Sequence, residues 1–470
     1  MARLRSGAQV APAPSDAEPT SLWDPAVRSV SVGATALIAL FAVEYIAVGT
    51  AMPTVARALD GLGLYALAFA ATIAAGVIGM IVGGWWSDHS GPGVVVLAGC
   101  GAFSAGLTVA GLAPTMEVFV AGRGLQGLGT GMASVAVYVV IAQGLPDRLR
   151  PRVFSLLAAA WVVPGLVGPV LTGLAVEHLH WRAVFLGVVP LVLLAVLVLR
   201  PALLRTAPTD DAAYLRASTL AWAVVAAAAV AVLNLGGERI EPGEVLVGAP
   251  AAMLLLLAAV KLLPAGTLRL GRGLPSVVSA RGAIGASFIA SEAYLPLLLQ
   301  ELHDYSPAEA GAVLAVGSVT WAAGSWWQGR LKEHVDRYRL LLLGSATILV
   351  GLAVLLVSVA AGWWGWTILV IWGFTLLGVG LAYPTTSLLT LRLSPPGSVG
   401  QNSSALQVSE ALASAFILAA AGTVFGMLDG PAAPMAFVAV VAASVVAGLG
   451  AVVTSARSRP APAAHPDLGE

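Results

Sequence analysis

Charge is the scarcest ingredient of this 470-residue sequence. Only 10% of its residues are Asp, Glu, Lys or Arg, 24 acidic against 24 basic, where a soluble domain carries about 25%. A chain that is 58% hydrophobic, with a mean hydropathy of +0.90, has more apolar surface than a soluble interior of this size can hide. That excludes a soluble enzyme and leaves an all-α polytopic membrane protein whose apolar solvent is lipid. Balanced charge gives no electrostatic case for nucleic acid as a partner. The single cysteine, Cys100, excludes an internal disulfide and reads as helix packing. Residues 1–28 mix Pro, Asp, Glu and Arg without an apolar core, so they read as a cytoplasmic tail and not as a cleaved signal peptide. No metal-ligand spacing, phosphate loop with its lysine, or nucleophile arrangement occurs. Neither enzymatic activity nor a resident cofactor is expected.

Long apolar runs are what the chain has in quantity. Breaking it at charged, Pro and Gly clusters gives spans at 32–52, 65–85, 94–113, 118–142, 154–176 and 184–199, then 218–235 and 245–263. Six more follow at 277–299, 310–327, 340–359, 364–388, 404–425 and 435–453. Most approach or exceed the roughly 20 residues a helix needs to cross a hydrocarbon core. The count predicts fourteen helices arranged as six, two and six. It makes 29–200 and 275–455 the two bundles, 201–274 a linker with an inserted hairpin, and 456–470 a second tail.

Arginine placement supports that count, because a missed helix would scatter the bases over both sides. With both termini cytoplasmic, Arg148, Arg150, Arg152, Arg205, Arg269, Arg272, Arg330, Lys332, Arg337, Arg392 and Arg457 fall inside, and only Arg57, Arg182 and Arg239 outside. An internal repeat pairs the outer groups: Gly83-Gly84-Trp85-Trp86-Ser87 and Gly324-Ser325-Trp326-Trp327-Gln328 each end a second helix. Glu44 with Pro53, and Glu292 with Pro296, match in the first helices. Two six-helix bundles facing each other across a pseudo-twofold follow. The tryptophan pairs suit the headgroup level.

A charge at the centre of a transmembrane helix costs about 2.5 to 3.5 kcal/mol on insertion scales, so it normally faces a partner or a watery cavity. Four such residues stand out: Glu44, Arg123, Glu292 and Glu410. Glu44, near the middle of the first span, suits a group that binds and releases a proton in each cycle, with a structural hydrogen bond as the plainer role. Arg123 lies in Gly122-Arg123-Gly124-Leu125-Gln126-Gly127-Leu128-Gly129, where glycines allow close backbone approach, and a permanently charged guanidinium can hold a carboxylate. Glu292 and Glu410 could attract a cationic substrate, and Glu292 could take a second proton. Gln126, Gln407 and Trp161 complete the candidate substrate contacts. In the fifth span, Pro164, Gly165, Gly168, Pro169 and Gly173 present a small-residue face able to slide or bend against the opposite bundle.

At these motifs the sequence resembles the fourteen-helix drug:proton antiporters of the major facilitator superfamily, across nearly all of residues 30–455. The first-helix acid followed nine positions later by proline is kept as Glu44 and Pro53, while Ile46 and Gly49 replace the usual threonine and asparagine. Of the loop motif after the second helix, Gly84, Asp88 and Gly91 survive, but His89, Pro92 and Gly93 stand where basic residues are usual. The resemblance therefore implies a weakened charge latch at the cytoplasmic gate. Arg123, Gln126, Gly127 and Gly129 match the fourth-helix motif, which implies a part for Arg123 in proton transfer. Gly165, Gly168, Pro169 and Gly173 match the fifth-helix antiporter motif and imply export. The expected protein is a proton-coupled exporter of amphipathic, cationic or neutral organic compounds in the cytoplasmic membrane, driven by the proton gradient, with substrate, protons and membrane lipid as its partners. Two alternatives are a carrier of lipid or cell-envelope glycolipid, with the inserted hairpin as a side portal, and a non-transporting membrane sensor.

Overall fold

In lipid a backbone amide finds no water, so an apolar run crosses only with its hydrogen bonds closed along the chain. The computed structural model describes residues 19–61, 64–208, 217–235, 242–305, 307–331, 335–428 and 434–460, and in these the long apolar runs are helices throughout. Most of both tails, Arg239 and Lys332 lie outside the described residues.

The first group comprises α1 (Arg28–Ala58), α2 (Tyr65–Ser90), α3 (Pro92–Gly111), α4 (Met116–Gly144), α5 (Arg150–His178), α6 (Trp181–Leu186) and α7 (Val188–Leu203). After it come α8 (Ala217–Leu235) and α9 (Pro242–Leu262). The last group is α10 (Leu274–His303), α11 (Pro307–Arg330), α12 (Arg337–Ala360), α13 (Gly365–Leu393), α14 (Val399–Met427) and α15 (Pro434–Ala456). The sixth predicted span is thus two helices divided at Gly187. Pro190 has no N–H to offer the Leu186 carbonyl, which opens the hydrogen-bond ladder there.

Among the described residues, ten segments are long and apolar enough to cross a membrane, α6 and α7 counting as one. Helices α8 and α9 contain shorter apolar stretches, Ala217–Leu233 and Gly248–Leu262, and α5 and α11 fall outside the ten. The chain is a multi-pass integral membrane protein.

Packing repeats between the two groups. In the first, α4 packs on α2 and α3, α7 on α3 and α1, and α1 on α5; in the second, α13 packs on α11 and α12, α15 on α12 and α10, and α10 on α14. The sequence repeat explains one pair of these contacts. A Cβ added at Gly83 would stand 2.7 Å from Met132 Cα, and one at Gly324 would stand 2.6 Å from the Leu377 carbonyl oxygen. Only glycine lets α2 lie so close to α4, and α11 to α13.

A third apolar cluster joins the inserted hairpin to the bundles. Ala223, Ala226 and Val230 of α8 and Leu255 of α9 pack with Val77 and Ile81 of α2 and Leu412 of α14. The hairpin therefore covers the seam between α2 and α14. Both described chain ends lie at one face of the molecule, where Arg148 donates to the Pro19 carbonyl (2.9 Å) and Arg457 to that of Leu270 (2.7 Å). This is called the terminal face below.

Candidate functional site

Helices α1 and α4 each bring one charge into the interior. Arg123 Nη1 pairs with Glu44 Oε1 and also donates to Gln126 Oε1 on its own helix. Their side chains are 2% and 7% exposed for Arg123 and Glu44. Taking an ion out of water costs several kcal/mol even after relaxation, so each of these charges depends on the other. Arg123 is further fixed through its backbone, whose carbonyl accepts from Thr72 Oγ1 at 3.1 Å. Arg123 Nε and Gln126 Nε2 are buried without a partner, leaving donors free for another acceptor.

A second pair lies in the other bundle. Arg281 Nε of α10 donates to Glu410 Oε2 of α14 at 2.8 Å. Its Nη1 reaches the Tyr383 carbonyl, Thr386 Oγ1 and Ser387 Oγ, each at 3.2 Å. The guanidinium covers the Tyr383 ring, 3.2 Å from its centroid, and the Tyr383 hydroxyl donates to Glu410 Oε1. The sequence reading of four intramembrane charges is corrected here to five. Arg281 lies near the start of the predicted span 277–299, where an arginine reads as one reaching back to the headgroups; α10 begins at Leu274 and carries it inward, where it is 3% exposed. Glu410, expected as a free recognition acid, is held by Arg281 and Tyr383.

The pairs sit at different depths. Arg281 is seven residues into α10 and Glu44 sixteen into α1, about 10 and 24 Å of helix from the terminal face.

Glu292 is the exception among the five. It is half-buried, and among the described residues no hydrogen bond or ion pair reaches its carboxylate; the Tyr45 phenol of α1 lies within electrostatic reach. Tyr45 is 60% exposed and meets Trp161 of α5, 46% exposed, edge to face at 6.0 Å between centroids. An unpaired carboxylate within electrostatic reach of an accessible aromatic ring, itself edge to face with a second, is chemistry that favours an organic cation. Gln407 stands nearer the terminal face, eight residues into α14; its Oε1 accepts from Ser134 Oγ of α4 at 3.0 Å and its Nε2 is buried without a partner.

Toward the terminal face the bundles close on each other at two seams. At the first, Asp88 of α2 accepts from the backbone N–H of Gly400 (2.7 Å) and of Gln401 (2.9 Å). These are the free donors that open α14, so the carboxylate caps a helix of the opposite bundle. The missing basic residues thus leave a latch of carboxylate and helix N-terminus in place of a pair of side chains. Gly84 allows the approach, since a Cβ there would lie 2.6 Å from Ser404 Cβ. Gly91 turns the chain at φ +85°, a backbone conformation suited to glycine. At the second seam, Ser155 Oγ of α5 donates to the Ser325 carbonyl of α11, and Gln328 Nε2 to that of Pro151 (3.4 Å).

The proline–glycine stretch of α5 is helical in this arrangement. The helix continues through Pro164. A Cβ at Gly168 would meet Ile46 of α1 at 3.2 Å, and one at Gly165 or Gly173 would meet nothing within 4 Å. Gly168 therefore packs on α1, while Gly165 and Gly173 border open space. The Pro169 side chain lies outside the described residues.

The model of the family described as "Major Facilitator Superfamily" matches residues 34–418. The chain belongs to the major facilitator superfamily. Among curated proteins, this superfamily member is 25% identical over 442 residues to a "Probable multidrug-efflux transporter" of Mycobacterium tuberculosis H37Rv, covering 87% of this chain and 91% of that one. It is 33% identical over 119 residues to the multidrug resistance protein MdtL of Escherichia coli, covering 25% and 30% of the two chains. Among solved structures, a bacterial homologue of the iron transporter ferroportin in an outward-facing state superposes with a TM-score of 0.68 at 14% identity, over 91% of this chain and 98% of that one. The human organic anion transporter MFSD10 superposes at 0.66 with 15% identity, over 91% and 98%. These likenesses carry the fold. By family and by homology to efflux proteins, the chain is a membrane transporter.

Proposed function

We propose that the chain is a proton-driven antiporter of the cytoplasmic membrane that exports amphipathic organic cations and neutral relatives by alternating access. The fourteen-span reading belongs to this proposal: α5, α8, α9 and α11 also cross, and the terminal face is cytoplasmic. The observation that carries it is the contrast between a buried, paired carboxylate and an unpaired one, Glu44 on Arg123 and Glu292 within electrostatic reach of Tyr45, whose ring meets Trp161.

In this reading Glu44 is the coupling acid. Deprotonated, it is held by Arg123; a proton arriving from outside neutralises it and leaves the guanidinium to Gln126 alone. That exchange shifts the balance between the two arrangements of the bundles. The Glu292 carboxylate and the two rings hold the cation, and opening of the seams at Asp88 and Ser155 gives access from the other side. The driving force is adequate. One charge gains about 2.3 kcal/mol per 100 mV and one pH unit adds about 1.4 kcal/mol.

Efflux of a lipophilic cation from reconstituted vesicles under an imposed pH gradient tests the proposal. Wild type should transport, and Glu44→Gln should lose gradient-driven transport by at least about tenfold while still binding the cation. Undiminished gradient-driven transport by Glu44→Gln would remove Glu44 as the coupling acid. No transport of any cation or neutral compound by wild type would overturn the export reading.

A further inference from the structure

The two seams that close the terminal face differ in charge. At the α2/α14 seam the Asp88 carboxylate meets a helix N-terminus, which is a match of opposite signs. At the α5/α11 seam a link is Gln328, and it ties together two arginines. Its Nε2 reaches the Pro151 carbonyl of the first bundle, next in the chain to Arg150. Its Oε1 and its own carbonyl accept from Arg337 Nη1 at 2.9 and 3.0 Å. Arg150 of α5 also closes the end of α4 through the Leu145 and Ala142 carbonyls, and Arg337 of α12 closes the end of α11 through the Leu331 carbonyl. A third arginine, Arg392 in the last turn of α13, lies within electrostatic reach of both.

One guanidinium of the first bundle and two of the second are thus gathered at this seam, with little to offset them. Asp147 pairs with Arg150 at 2.5 Å, but it is 66% exposed, so water and salt weaken its field. Asp336 is engaged by Arg339, Arg459 and the start of α12. Arg337 is 3% exposed, and its Nε is buried without a partner. Arg392 is exposed, and among the described residues no hydrogen bond or ion pair reaches it. These like charges repel when the bundles meet and are relieved when they part, so a ligand of opposite sign favours the closed arrangement. We propose that the terminal mouth of the α5/α11 seam is an anion site, in which a phosphate group, borne by a lipid headgroup or free in solution, bridges Arg392 with Arg150 and Arg337 and clamps the bundles closed. A tetrahedral oxyanion suits the arrangement, since each guanidinium can donate to a different oxygen. The site regulates the cycle and does not depend on which compound the cavity carries.

Distance measurements test it. Spin labels at Val94 of α3 and Leu343 of α12, exposed positions near the terminal ends of the two bundles, report their separation in a Cys100→Ala background. The full chain is held in dodecyl maltoside micelles, which carry no phosphate. In one arm inorganic phosphate replaces chloride at constant ionic strength; in the other, phosphatidylglycerol is added to the micelles and compared with uncharged diacylglycerol. The ratio of closed to open molecules should rise at least about threefold in one arm or both. A response to phosphate alone assigns the site to a free anion, and a response to phosphatidylglycerol alone assigns it to a headgroup. Arg392→Gln should lose the response and melt with wild type. Because it also removes repulsion, it should start more closed than wild type without any anion, which loss of an ordinary structural contact would not produce. No response in either arm, an equal response to added sodium chloride, a response kept in Arg392→Gln, or an anion-free Arg392→Gln more open than wild type would each overturn the site.

Discussion

Gly83 and Gly84 are neighbours in sequence, yet the side chains they lack would enter two different interfaces. A Cβ at Gly83 runs into Met132 of α4 within the same bundle, and one at Gly84 runs into Ser404 and Gly400 of α14 across the seam. Gly83→Val should therefore act on folding, costing about 1–3 kcal/mol by overpacking and lowering the melting temperature. Gly84→Val should melt close to wild type but hold the bundles apart at the terminal face. Spin labels placed on α2 and α14, with the buried Cys100 replaced, would report the added separation. A large loss of melting temperature in Gly84→Val alone would reverse the assignment.

Asp88 should set the balance between open and closed seams. Its two hydrogen bonds to the start of α14 are a capping interaction worth about 1 kcal/mol, or about fivefold in a two-state equilibrium. Asp88→Asn keeps one acceptor and loses the charge, so the closed arrangement should fall by about that factor. Alkylation rates of a cysteine introduced at Gln407, measured from the terminal side, would rise correspondingly.

Glu292 and Glu410 should part company on substitution. Glu292→Gln removes an unpaired charge within electrostatic reach of Tyr45, and lipophilic cations should bind at least about tenfold more weakly with neutral compounds unaffected. Glu410→Gln leaves Arg281 buried without its counter-charge, which costs about 3–5 kcal/mol and should show in the melting temperature, not in cation affinity. Binding titrations and melts of both variants distinguish the roles, and a selective loss of cation affinity in Glu410→Gln would make that residue the recognition acid.

The Glu44–Arg123 pair should be strongly non-additive. Arg123→Gln strands a buried carboxylate, and Glu44→Gln strands a guanidinium. In Glu44→Gln with Arg123→Gln, two neutral amides replace the pair. The double variant should regain at least about 1 kcal/mol of the summed single losses and still fail to couple transport to a pH gradient. Additive melting losses would mean that the two residues do not depend on each other.

The sequence made Glu44 and Arg123 legible because a lone charge inside an apolar run is conspicuous whatever lies around it. Arg281 was hidden by position. It stands near Arg269 and Arg272, and hydropathy does not distinguish an arginine that reaches back to the headgroups from one turned inward to Glu410. The partner of Asp88 was not legible for another reason: it is the end of a helix, and a free backbone N–H has no letter in the sequence. The repeat at Gly83 and Gly324 was legible because close helix approach demands glycine at those positions. Which seam the hairpin covers depends on contacts among alanines and valines that any apolar helix could offer.

That backbone partner has a genetic consequence. A latch made of two side chains can be lost from either half by point mutation and recovered by a compensating change in the other. At Asp88 the donors belong to the main chain of Gly400 and Gln401, so side-chain replacement on α14 cannot delete them, short of proline, and no new α14 side chain recreates the lost acceptor in its original place. Suppressors of an Asp88 variant should therefore arise elsewhere, at positions such as Ser155 and Ser325 that hold the second seam, and selection for them would map how the two seams share the load.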